Sequence, residues 1–186
     1  ADHVDRLDDR TAFFVKRLER AKRLRESVYP GEPAVRMVYG ESDQLPGLVV
    51  DRYGDTLSAQ FGAAGTERFK KAIADALLRV TGLARLYERS DASVRQLEGL
   101  GEAAGWLRGD GPTELTITEH GWRLTLDVAQ GHKTGYYLDQ RDSRRGFADA
   151  VRHFGLKRVL NCYSYTGGFS IAALAGGADH VTSVDS

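Results

Sequence analysis

The sequence has a single cysteine, Cys162, among 186 residues. One thiol can neither close an internal disulfide nor furnish a cysteine-rich zinc site, and this usage fits a reducing, cytoplasmic setting. Charge of one sign is also missing: 26 basic and 26 acidic residues cancel. No global positive field therefore advertises a nucleic-acid partner, although a local basic surface is invisible to that sum. No apolar run is long enough to span a bilayer, and no stretch reads as a signal peptide, so no membrane association is expected. His, Cys and carboxylate residues show no metal-ligand spacing, and no metal is expected. Internal repeats and low-complexity segments are absent as well. What remains is a length that suits one ordinary domain or two small ones with a sizeable core.

The chain opens on a helical pattern over residues 1–27, with Asp8 or Asp9 as cap and Ala12, Val15, Leu18 and Ala21 as an apolar stripe. Its Lys and Arg residues read as a solvated face, with phosphate contact as the alternative. "AVRMVYG", "GLVVDRYG" and "TLSAQF" follow as a meander of short strands between Gly, Pro and Asp turns, where Asp43 and Asp51 read as turn residues. "GTERFKKAIADALLRVTG" is one amphipathic helix stopped by Gly82, "LARLYERSD" a strand, and "ASVRQLEGL" a short helix or turn. "TELTITEH" and "WRLTLDVA" alternate apolar with polar residues across Glu119-His120-Gly121, which is a hairpin signal. Trp106 and Arg108 are compatible with either an RNA path or packing.

From residue 131 the pattern changes. "DQRDSRRGFADAVRHFG" is helical and "KRVLNCY" reads as a buried strand; the loop "SYTGG", the helix "FSIAALAGGA" and the strand "HVTSVDS" complete a βαβ unit. The expected fold class is therefore an α+β domain, residues 28–130, followed by the start of an α/β Rossmann-like domain, residues 131–186. The last strand has barely ended when the sequence stops, so the expectation is a truncated domain that, with its unpaired edge, is either poorly stable alone or docks on a second copy of the chain as a homodimer.

In such a unit a ligand lies beyond the carboxyl end of the first strand, where glycines permit close approach and the helix offers free N–H groups. Gly167 and Gly168 stand there, and Asp185 ends the second strand, from which a carboxylate can accept hydrogen bonds from ribose hydroxyls. A nicotinamide or flavin site would show GxGxxG, which "NCYSYTGGFS" lacks. S-adenosylmethionine needs fixed donors and acceptors for its α-carboxylate and α-ammonium, and Asn161, Tyr163, Ser164 and Thr166 can supply them. Adenosylmethionine is the favoured ligand; another nucleotide and a purely structural turn are the alternatives.

"GESDQLPGLVVDRYGD", "EHGWRLTLDVAQGHKTGYYLDQRDSR" and "VLNCYSYTGGFSIAALAGGADHVTSVD" closely resemble the bacterial ribosomal RNA large-subunit methyltransferase I family. The resemblance implies a class I enzyme that forms 5-methylcytosine in 23S rRNA with S-adenosylmethionine. It also implies an RNA-binding PUA domain upstream, and the Asp-Pro-Pro segment and catalytic cysteine region downstream of these residues. No catalytic residue is then expected in the present chain, and residues 1–27 become a linker helix.

The resemblance places "KTGYYLDQR" against the start of the methyltransferase sheet, where it helps enclose the cofactor. There Arg141 can pair with the methionine carboxylate, Asp139 can orient that arginine or accept from the ammonium, and Tyr137 can wall the pocket. Tyr136 can stack on an RNA base, and Lys133 or His132 can meet a phosphate. The plain alternatives are Asp139 as a helix cap paired with Arg141, Tyr137 as a core aromatic and Lys133 as a solvated charge. Cytosine C5 methylation needs a thiolate that adds to C6 of the ring. Cys162 lies in a core-like run, so it reads as a packed or cofactor-wall residue rather than as that nucleophile. Other functions to weigh are a guanine-methylating relative, a noncatalytic RNA-binding module and a nicotinamide-dependent oxidoreductase.

Overall fold

Alternating hydrophobicity in the first third of the chain is realised as three antiparallel strands. β1 (Ala34–Tyr39), β2 (Leu48–Tyr53) and β3 (Thr56–Phe61) form the expected meander. This computed structural model describes residues 10–90 and 95–185. The proposed capping residues Asp8 and Asp9, and the first part of "ASVRQLEGL", lie outside the described residues. The chain falls into two compact units, Ala1–Leu115 with Asp127–Tyr136, and Thr116–Leu126 with Tyr137–Ser186.

In the first unit, α1 (Arg10–Val28) precedes β1, and α2 (Ala64–Arg68) and α3 (Lys70–Thr81) cross over from β3 to β4 (Arg85–Ser90), which pairs parallel with β3. The helix expected to run unbroken is interrupted at Phe69, whose φ of −102° and ψ of 12° leave the α region. β5 (Ala103–Arg108) adds antiparallel to β4 and completes a five-stranded sheet in the order β1-β2-β3-β4-β5. One face of that sheet forms the core. Val38, Leu48, Val50, Leu57, Ala59, Phe61 and Leu86 pack with Ile73 and Leu77 of α3 and with Phe14, Leu18 and Ala21 of α1. The buried stripe on α1 is thus Phe14, Leu18 and Ala21, while Ala12 is exposed.

The other face carries a polar and aromatic row across all five strands, with Arg36, Asp51, Ser58, Tyr87 and Trp106 as successive partners. Asp51 is not a turn residue. It sits inside β2 with no exposed surface and accepts a two-pronged hydrogen bond from Arg36, both contacts 2.8 Å. Asp43 does occupy a turn, the single 3-10 turn Gly40–Asp43, where Arg25 grips it at 2.5 and 2.7 Å.

In the second unit, β6 (Glu114–Glu119), whose first two residues belong to the first unit, and β7 (Trp122–Asp127), whose last residue does, form the expected hairpin. His120 and Gly121 make its tight turn with φ of 54° and 83°, both left-handed, as a two-residue turn matched to strand twist requires. A 3-10 turn, Leu138–Gln140, leads into α4 (Arg141–Phe154), which Gly155 ends in the left-handed conformation. β8 (Arg158–Cys162), α5 (Gly168–Ala175) and β9 (His180–Val184) are the βαβ unit, with the two strands parallel and in register from Arg158↔His180 to Cys162↔Val184. Val151, Ala173 and Ala178, with Phe147, Val159 and Val181, form its core. β8 is not a buried strand: Leu160 is 63% exposed and Cys162 is an exposed free thiol. Its inward residues, Val159 and Asn161, alternate with these. Among the described residues no helix is long and apolar enough to cross a membrane.

Candidate functional site

The loop from Cys162 to Gly168 is forced into an uncommon backbone path. Tyr163, Tyr165 and Gly167 have φ of 58°, 47° and 76°. For the two tyrosines this left-handed conformation costs on the order of 1–2 kcal/mol each, and local strain of this kind is characteristic of ligand-holding loops. The Ser164 N–H donates to Val184 O at 3.2 Å and the Gly167 N–H to Ser164 O at 2.8 Å, so the loop turns back over the end of β9 before α5 begins. Asp185 stands immediately after β9, exposed, and its carboxylate accepts a hydrogen bond from the Tyr165 N–H. That bond ties the acid to the glycine loop. The two features on which the nucleoside reading rests therefore converge at the carboxyl ends of adjacent parallel strands, beside the first turn of α5, whose leading N–H groups have no acceptor within the helix.

The remaining expected cofactor residues are arranged around this point in different ways. Tyr163 is 86% exposed, and Ser164, Thr166 and Gly167 are half-buried in the loop, with Gly168 buried at the helix start. Asn161 is turned inward: its Nδ2 donates to Ser170 Oγ at 2.8 Å, and Ser170 Oγ lies 2.6 Å from Ser183 Oγ. This chain locks β8, α5 and β9 together beneath the loop. Tyr137 reaches the loop from the other direction, its ring edge-on to that of Tyr165 with centroids 5.5 Å apart. The loop and the "GYYLDQR" segment are thus brought together at one aromatic contact.

Asp139 is exposed in the 3-10 turn. The turn makes Gln140 the residue at the cap position of α4, and Gln140 makes no side-chain cap. Arg141 is buried, with its guanidinium 3.7 Å from the Glu119 carboxylate. The Arg141 carbonyl lies 3.2 Å from His120 Nε2 and accepts from it in the tautomer that is protonated there. Arg144 completes the cluster by gripping Glu119 at 2.6 and 2.7 Å while donating to the Tyr137 carbonyl at 3.1 Å. The Glu119 carboxylate, wholly buried, is the anchor that the sequence reading missed. The signal was present, since Leu115 and Ile117 point inward on β6 and period two turns Glu119 inward with them.

In the first unit, residues 131–136 are clamped to the polar sheet face. Thr134, fully buried, donates to Asp51 and lies 3.0 Å from the Tyr53 hydroxyl; the Tyr136 N–H donates to the same hydroxyl at 3.2 Å. Burial, reinforced by the nearby Asp51 charge, pushes the Tyr53 phenol far above its ordinary range, so it stays protonated and can donate to the Tyr136 carbonyl. Tyr136 itself is 1% exposed, and stacking on an RNA base would require it to leave this position. Lys133 and His132 are exposed, with Lys133 at a φ of 56° and its carbonyl accepting from Gln60 at 3.4 Å.

The model of the S-adenosylmethionine-dependent methyltransferase family matches residues 92–186. The chain belongs to this family. Its cofactor is accordingly S-adenosylmethionine. It is similar to the ribosomal RNA large subunit methyltransferase I of Vibrio vulnificus (strain YJ016), with 46% identity over 184 residues that cover 97% of this chain and 46% of that protein. The chain thus spans just under half the length of the curated relatives it matches. Among solved structures it resembles a SAM-dependent methyltransferase from Streptococcus mutans, with a TM-score of 0.77 and 27% identity over 94% of this chain and 45% of that one. A structure of a methyltransferase complexed with SAH matches with the same TM-score and identity, over 94% of this chain and 44% of that one. The expected family and the expected fold class, an α+β part followed by the opening of a Rossmann-like methyltransferase domain, are both borne out.

Proposed function

We propose that the protein is an S-adenosylmethionine-dependent methyltransferase that acts in the cytoplasm on 23S rRNA and forms 5-methylcytosine. The observation that carries this reading is the Asp185 carboxylate, bonded to the Tyr165 N–H beside the Gly167-Gly168 turn. The name of the Vibrio vulnificus relative supports ribosomal RNA as substrate. In this reading residues 131–186 open the methyltransferase domain, residues 28–130 form the domain before it, and residues 1–27 are a linker helix.

Bound S-adenosylmethionine supplies an electrophilic methyl group on a sulfonium. The chain's own residues hold and orient it. Asp185 accepts from the ribose hydroxyls, and the N–H groups opening α5 at Gly168, with Ser164 and Thr166, face the polar end. Tyr137 and Tyr163 supply apolar walls that exclude water. Asp139 meets the ammonium, Arg141, beside Glu119, offers positive charge toward the carboxylate, and Arg144 fixes the backbone of that segment through the Tyr137 carbonyl. Asn161 sets the strand-to-helix geometry under the loop. On the substrate side Lys133 meets an RNA phosphate, and Tyr136 shapes that surface from beneath. Cys162 stays outside the chemistry, so Cys162→Ser is expected to retain methylation.

The test is incubation of the protein at its full natural length with methyl-labelled S-adenosylmethionine and unmodified 23S rRNA, followed by nucleoside analysis. Label in 5-methylcytidine supports the proposal. Label in a methylguanosine would move the target base, and no transfer from an intact, cofactor-binding protein would leave an RNA-binding module.

A further inference from the structure

The net charge of the chain is zero, yet the charge is unevenly placed: α1 carries seven basic residues against two acidic ones. Five of these seven cations fall into two groups. Lys22 and Arg25 face the body of the first unit and hold the helix to it, Lys22 through the Val80 carbonyl at 3.1 Å and Arg25 through Asp43 and the Arg36 carbonyl. Lys16, Arg20 and Arg23 lie on the opposite side, all exposed, at the i, i+4, i+7 spacing that puts them on one stripe. Among the described residues Arg20 makes no hydrogen bond or ion pair, and Arg23 meets only Glu19, at 4.0 Å with both side chains more than half exposed. Such a pair contributes little.

Beside this stripe is a groove of about 400 Å³ whose lining includes Arg17, Arg20, Arg23, Leu24, Ser42 and Gln44. Asp43, the acid in its wall, has a side chain only 4% exposed and is neutralised by Arg25, so it does not cancel the groove's positive field. Arg17 lies over the Phe13 ring at 4.5 Å and donates to Gln44, which stiffens one rim. Leu24, 54% exposed, leaves apolar surface between the cations. A purely solvating face has no need of a walled cavity or of exposed leucine among arginines.

We propose that this outer face of α1 binds the phosphate backbone of RNA, with Lys16, Arg20 and Arg23 as the phosphate contacts. The stripe advances about 6 Å per four residues, a step suited to successive phosphates of a single strand, and the hydroxyl and amide of Ser42 and Gln44 add neutral donors. The inference deepens the proposed function by assigning a second RNA contact surface, and it rests on RNA being the substrate.

The experiment measures binding of a labelled oligouridylate by the full chain across a range of salt concentrations, for the parent, for Arg20→Gln and for Lys16→Gln/Arg20→Gln/Arg23→Gln. A control, Lys71→Gln/Arg79→Gln/Arg123→Gln, removes the same charge from exposed sites elsewhere. The triple variant on α1 is expected to bind on the order of tenfold more weakly, and its slope of log affinity against log salt is expected to fall by about 2, with Arg20→Gln alone removing about 0.7. None of the three α1 side chains is buried, so thermal melts should match the parent. Equal slopes for parent and variant, or an equal loss in the control, would overturn the proposal. Tighter binding to vesicles containing phosphatidylserine than to RNA, lost in the same variant, would overturn it in favour of a membrane surface. Titration with S-adenosylhomocysteine separates the two levels: the α1 variants should keep the parent's affinity, whereas absence of cofactor binding in the parent defeats the methyltransferase reading and leaves the RNA result standing by itself.

Discussion

At the scale of single residues, the second unit depends on one buried acid. Glu119 neutralises Arg144 and, at longer range, Arg141, and all three are withdrawn from water. Removing one member of a buried ionic cluster leaves the others charged and unpaired, at a cost of about 3–5 kcal/mol. Glu119→Gln is therefore expected to lower the urea midpoint of this unit by a corresponding amount, while Glu114→Gln, on the exposed end of the same strand, should leave it unchanged. That Glu119 points inward was legible from the alternation of β6. Its partners were not, because they arrive from α4, and nothing local in the sequence pairs a strand with a helix that begins beyond an intervening loop. Asp51 was misread for a related reason: flanking turn signals suggested a turn, while the Arg36 and Thr134 that neutralise and cap it come from β1 and from the far end of the first unit.

Glu67 shows the opposite balance. Partial burial alone would raise its carboxyl, but Lys70 at 2.7 Å and Arg95 at 2.8 Å outweigh that and hold it below its usual value of 4.5. With the folded value below the unfolded one, the stabilisation is in place above pH 4.5 and is lost as pH falls through the depressed folded value. Glu67→Gln should cost about 1 kcal/mol at neutral pH, with the difference from the parent vanishing in acid. Denaturant titrations at both pH values check this.

At the scale of elements, regular patterns were readable and irregular ones were not. The β1–β3 meander, the His120-Gly121 hairpin and the strand, glycine loop, helix, strand unit all have strong local signals, and all formed. β5 escaped notice because "AAGWLR" has no alternation and its Gly105 adopts a φ of 142°; its pairing with β4 also shifts register. The break at Phe69 within an otherwise helical pattern was likewise invisible, since the periodicity of apolar residues continues across it. Gly176 is an element-scale test. Its backbone is ordinary, but a Cβ there would lie 2.5 Å from the Ala148 carbonyl oxygen and 2.8 Å from Val151 Cβ. The end of α5 must therefore ride directly on α4. Gly176→Ala should destabilise by about 1–3 kcal/mol, whereas Gly146→Ala, on α4 with nothing within 4 Å, should be neutral or stabilising. Thermal melts of the two variants decide it.

At the scale of the whole molecule, family membership and fold were legible because long ordered stretches carry far more information than a pair of glycines. The candidate site was legible in part. The loop that carries Gly167 and Gly168 is tied to Asp185 through the Tyr165 N–H, and the Tyr137 ring lies edge-on to that of Tyr165. Asn161 and Arg141 are engaged by protein partners, which sequence spacing could not foresee. The burial of Thr134 and Tyr136 was hidden as well, because it depends on Asp51 and Tyr53 standing side by side on a sheet face far earlier in the chain.

The central claim is that the Asp185 corner receives the nucleoside of S-adenosylmethionine. The most direct measurement is calorimetric titration of the protein at its full natural length with S-adenosylhomocysteine, beside Asp185→Ala and Cys162→Ser. Losing a charge-assisted hydrogen-bond acceptor should weaken binding by about 1.5–3 kcal/mol, on the order of tenfold to a hundredfold, with Cys162→Ser close to the parent and both variants folded. Equal affinity of Asp185→Ala and the parent, or no binding by a folded parent protein, would contradict the account.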